Sequence, residues 1–267
     1  MSHKWEFSVS AGSYYPSLTQ SFRGNDISLA YEDDHLGMQF YGYSSHIDCL
    51  SDPSQVAKRL YSLQILLNGA LRISSGGVNM MPITFGAFAL CDGGCRGSVY
   101  ADSIEECPFD LSPSIDEGLP SWNDPKSSLP SLLLNRSKHD EKLRGLLFLV
   151  GMISTNSANE RVLTWSTLYK ILDSVKHYSS EFSLPYDSFA DKDRINEFTA
   201  ACNNMSILGI NARHGASGNK PPKRVITDLA EAIELIVSLS ESFVREYLAR
   251  VPFNKSKHPD TASCVGV

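Results

Sequence analysis

The chain has 267 residues, of which 42% are hydrophobic and 20% charged, with six cysteines and a net charge of −6. These values describe an ordinary globular chain, long enough for two modest cores, and exclude a small disulfide-stapled scaffold. No run of eighteen apolar residues marks a transmembrane helix, and the opening MSHKWEFSVS lacks the apolar core of a signal peptide, so a cytoplasmic location with reduced thiols is expected.

Taken in order, Trp5, Phe7 and Val9 alternate with Glu6 and Ser8 and predict a strand over 5–10. Further strands are expected at 27–31 and 37–43. The period then changes. Asp52 can cap a helix and Pro53 fits its first turn, with Val56, Leu60, Leu63, Leu67 and Leu71 on one face. Asn68-Gly69 is expected to weaken its last turn. Strands at 83–91 and 95–101 flank Asp92-Gly93-Gly94, a turn that glycine enters cheaply. Cys91 and Cys95 read as partners facing across that hairpin rather than as zinc ligands, because a structural site needs four. His35 and His46, near Glu32, Asp33, Asp34 and Asp48, read as part of a solvated acidic loop. No metal and no cofactor is implied. Residues 105–130 carry five prolines and read as a linker.

Charge supports a boundary there. Residues 1–128 hold 7 Lys/Arg against 15 Asp/Glu, whereas residues 129–251 hold 15 against 14. The acidic front half repels phosphate, so any nucleic-acid contact is assigned to the second half.

Beyond the boundary, amphipathic helices are expected at 137–153 (capped by Ser137), 160–179, 191–202 and 228–250, before a loose tail over 252–267. The fold class is therefore α+β: an N-terminal mixed α/β domain over 1–128, then a four-helix bundle over 129–251. Between the last two helices, Asn203–Arg224 (NNMSILGINARHGASGNKPPKR) concentrates groups able to bind an anion or move a proton. Arg213 offers a planar fork of donors that suits phosphate, and His214 is of a residue type able to move a proton. Asn204 and Asn211 add neutral donors and acceptors, while Lys220, Lys223 and Arg224 add positive charge. Trp165 and Tyr169 are either core or the wall of a site facing this loop. The structural alternative has Arg213 capping a helix end or pairing with Asp191, Asp193 or Glu197.

The runs TWSTLYKILDSV, INEFTAACNN and GINARHGASGNKPPK resemble the C-terminal helical region of a group of uncharacterised bacterial proteins with an Ala-Arg-His loop. The matching positions are Trp165, Leu168, Tyr169, Asn203, Gly209, Arg213 and His214. The arrangement is also distantly similar to HEPN domains, helical bundles of RNA-cleaving toxins and phage-defence proteins that are often dimeric. HEPN active sites place His four to six residues after Arg, whereas Arg213 and His214 are adjacent. The resemblance implies a cytoplasmic, homo-oligomeric protein of phage defence or stress response. It would bind RNA or a nucleotide through the Arg213 loop, with metal-independent RNA cleavage by His214 and Arg213 as the enzymatic form of that reading. The alternative is a non-enzymatic interaction protein whose acidic N-terminal domain docks a partner.

Overall fold

Strand β1 (Trp5–Ser10) carries the expected alternation: Trp5, Phe7 and Val9 are buried, and the residues between them are exposed. The structure, a computed structural model, describes residues 3–11, 18–22, 24, 26–34, 37–75, 81–112, 115, 128–215 and 224–252. β1 lies at the centre of a five-stranded antiparallel sheet with β2 (Ser28–Asp34), β3 (Gly37–Tyr43), β4 (Thr84–Leu90) and β5 (Arg96–Ser98), in the order β2-β3-β1-β4-β5. Nine α-helices accompany it among the described residues, and the chain is mixed α+β. None of these helices is long and apolar enough to cross a membrane.

The chain divides into two compact units. The first contains Met1–Asn68 and Met81–Gly145, the second Gly69–Met80 and Leu146–Phe253. In the first, helices α1 (Leu18–Ser21) and α2 (Ser45–Asp48) were not expected from the sequence. Each is a single turn, too short to show a periodic apolar pattern. Helix α3 (Pro53–Ser74) matches the expected one, and its side chains hold the entry to β4. Gln64 Oε1 accepts the Phe85 N–H at 2.6 Å. Asn68 binds both backbone groups of Ile83 at 2.8 Å, so its amide replaces a missing ladder partner. Replacing Asn68 with alanine leaves both Ile83 groups unpaired in a buried place. We expect a loss of about 2 kcal/mol in denaturant unfolding.

Helix α5 (Glu141–Gly151) stands within the helix expected over 137–153, and α4 (Leu129–Ser137) precedes it where no helix was expected. Ser137 is the last residue of α4 and bonds back to Leu134 O, so it caps nothing. Asp140 does the capping, accepting the Leu143 N–H at 3.0 Å.

In the second unit, α6 (Ala158–Glu181), α7 (Lys192–Cys202) and α9 (Leu229–Arg250) pack on one another. Each begins at a side-chain cap: Ser157 with Glu160 in a reciprocal capping box, Asp191, and Asp228. Their buried stripes include Trp165, Leu168 and Leu172, then Ile195 and Phe198, then Ile236 and Phe243. Arg194 of α7 bridges Glu197 on its own helix and Glu231 on α9. The expected single loop from 203 instead contains helix α8 (Met205–Leu208) and a 3-10 turn, Gly209–Asn211.

At the β4–β5 connection, Gly93 and Gly94 adopt positive φ as the turn requires. Leu90 N–H bonds to Cys95 O, so Cys95 stands opposite Leu90 rather than opposite Cys91. The two cysteines are one residue out of register, and both thiols are free.

Candidate functional site

The segment after α7 folds back on itself. Asn203 is the C-cap of α7, Asn204 caps α8, and Gly209 takes φ +57° to turn the chain. The Arg213 N–H then donates to Cys202 O at 2.7 Å, bringing the chain back to the end of α7. The 3-10 turn meanwhile lies against α6.

This closure sets the Arg213 guanidinium 4.0 Å from the centroid of the Tyr169 ring. Tyr169 stacks on Phe198 at 6.4 Å, and Phe198 stacks on Trp165 at 6.1 Å. The result is a row running from the buried Trp165 to the 41% exposed Arg213 side chain. Trp165 is therefore core, while half-buried Tyr169 is the platform on which the cation sits. Arg213 does not pair with Asp191, Asp193 or Glu197. Its carboxylate neighbour is Asp173, four residues along α6 from Tyr169, at 3.9 Å and itself 53% exposed. That is a loose, solvated contact, which leaves the planar donor fork able to take another anion.

The other expected residues are placed as follows. His214 is exposed and has no hydrogen-bond partner among the described residues. The Asn204 side chain is buried, and its Oδ1 is committed to the Ser206 N–H and hydroxyl. Asn211 donates to Leu208 O, closing the 3-10 turn. Arg224 is exposed. Lys220 and Lys223 lie outside the described residues. Behind the loop, burial pushes the Cys202 thiol up to about 12 despite the opposing charge of Arg213, so it stays protonated at neutral pH.

A second polar cluster lies in the first unit. His46 was expected in a solvated acidic loop, but it is fully buried on α2; His35 lies outside the described residues. The Asp110 backbone N–H donates to His46 Nδ1 at 3.0 Å, which assigns the ring proton to Nε2. Nε2–H then donates to Asp26 Oδ1 at 2.9 Å. The same oxygen accepts from the fully buried Lys138 ammonium at 2.9 Å, and Oδ2 accepts from Asn135 at 3.2 Å. Burial would raise the Asp26 carboxyl, but the His46 hydrogen bond and the Lys138 charge together hold it below the ordinary value. With both carboxylate oxygens occupied, this is a clamp joining α2, α4 and the strand entry, not an open site.

The sequence reading missed Asp26, His46, Asn135 and Lys138 as a group, because nothing local links position 26 to 138. Asp173 had a signal: it follows Tyr169 by four residues on a helix and so shares its face. No protein-family profile, curated protein sequence or solved structure matches the chain.

Proposed function

We propose that the Arg213 face of the second unit binds a phosphate-bearing ligand, RNA or a nucleotide, and that the protein acts through this contact. The observation that carries the reading is the Arg213 guanidinium itself. It lies over the Tyr169 ring, is exposed, and is paired only loosely with Asp173. A guanidinium held over a ring is pre-organised for contact with phosphate, so less entropy is lost on binding. Binding fits this geometry better than cleavage does. His214 is exposed and no described group orients its imidazole, whereas a general base needs a fixed direction.

The test compares Arg213→Ala with the wild type for binding of a labelled uridine oligonucleotide across a salt series. Wild-type affinity should fall steeply with salt, and the substitution should weaken binding and flatten the slope. The same substitution should cost less than about 1 kcal/mol of stability, because an exposed cation–aromatic contact and a loose ion pair are each worth little. Unchanged affinity, or a large drop in melting temperature, sinks the reading. His214→Ala should leave binding intact.

A further inference from the structure

Helix α6 carries a second cation on a tyrosine ring. Lys176 Nζ lies 6.0 Å from the centroid of Tyr186, which sits on the 3-10 turn Tyr186–Ser188 packed against α6. Lys176 is exposed and has no carboxylate partner among the described residues. The Tyr186 hydroxyl is buried without a hydrogen-bond partner, and burial, with the charges of Asp187 and Asp173, pushes it up to about 12. It therefore remains a neutral ring supporting the ammonium. Tyr169, Asp173 and Lys176 follow one another at positions i, i+4 and i+7, so they form one line on the exposed side of α6.

That line has an order: a cation on a tyrosine, a carboxylate, a cation on a tyrosine. From Tyr169 to Lys176 the helix advances about 10 Å, and each cation rests on its own tyrosine, so in this arrangement the two are set to meet different phosphates. A ligand using both must carry at least two phosphates with something between them that tolerates Asp173. A carboxylate repels phosphate but accepts a hydrogen bond from a hydroxyl. In a ribonucleotide strand the group between successive phosphates is a ribose, whose 2′-hydroxyl can donate.

Resting on the reading of Arg213 above, we propose that the ligand is a single RNA strand laid along α6, with phosphates at Arg213 and Lys176 and a ribose 2′-hydroxyl donated to Asp173. Asp173 is then a specificity residue. It repels any strand that offers no hydroxyl, and so selects RNA over DNA.

The experiment uses the full chain with three probes: hexauridylate, its deoxy counterpart, and uridine monophosphate. The wild type should bind the RNA hexamer about tenfold more tightly than the DNA hexamer, the value of one charge-assisted hydrogen bond. Asp173→Asn should bring the two hexamers close together, chiefly by improving DNA binding as the repulsion is removed. Lys176→Ala should weaken hexamer binding and leave the monophosphate unaffected. All these side chains are exposed, and melting temperatures confirm that the variants fold. An unchanged RNA preference in Asp173→Asn, or equal effects of Lys176→Ala on hexamer and monophosphate, overturns the strand path while Arg213 recognition stands. Arg213→Ala without effect on any probe removes the underlying reading, and a wild type that binds none of the three removes both.

Discussion

Replacing Lys138 with methionine is expected to destabilise the protein by about 3 kcal/mol, measured by denaturant unfolding at neutral pH. Lys138 is fully buried, and its ammonium is 2.9 Å from Asp26 Oδ1. Removing it leaves the Asp26 carboxylate mostly buried, supported among the described residues by the hydrogen bonds from His46 and Asn135. Losing one member of a buried pair is costly because the surviving charge keeps its desolvation penalty. The pair also has a pH signature. Asp26 is held below its ordinary value in the folded state, so its contribution is complete above the unfolded carboxyl value of about 4. It is lost as pH falls through the lower folded value. Without Lys138 that folded value rises toward the unfolded one, so the acid-dependent loss contributed by Asp26 should be smaller in the variant. Asp26→Asn should reduce this acid-dependent component. The double variant should cost less than the two single changes summed, because they remove the same interaction. Additive losses would show that the two groups are not coupled.

Gly69→Ala is expected to destabilise by about 3 kcal/mol, although alanine is by propensity about 1 kcal/mol the better residue inside a helix. Gly69 sits within α3, where a Cβ would lie 2.1 Å from the Leu147 carbonyl oxygen of α5. The obstacle is backbone rather than a flexible side chain, so the helices must separate to admit the methyl group. Thermal unfolding of the variant decides the matter. A raised melting temperature would mean that propensity outweighs the contact.

These two sites mark the difference between what could be read along the chain and what could not. The alternation at Trp5, Phe7 and Val9 and the apolar stripes of α3, α6, α7 and α9 were legible, because burial of one face imposes its own period on the residues. The caps Ser157, Asp191 and Asp228 are likewise local, since each binds an N–H two or three residues on. Helix α4 was missed because its consecutive Leu132, Leu133 and Leu134 show no helical period, and the next helix was read as starting at Ser137 although Asp140 caps it. Gly69 read as a weak point of a helix, but it marks where two backbones touch.

The candidate site divides in the same way. Sequence alone picked out Arg213 and His214 by their chemistry, and Tyr169 by its place on an amphipathic helix. It could not tell Asn204, whose side chain is spent on a cap, from a residue free to bind. Nor could it identify Asp173 as the neighbour of Arg213, since the two are forty positions apart and meet only because Arg213 N–H returns the chain to Cys202 O. The sequence by itself determined the mixed α+β character, the helix and strand periods and the chemical inventory of the loop, because these depend on residues within a few positions of one another. Tertiary structure alone decided the Asp26–His46–Lys138 clamp, the contact at Gly69 and the row from Trp165 to Arg213, because each depends on closing a long loop against entropy, and only the packed core fixes which ends meet.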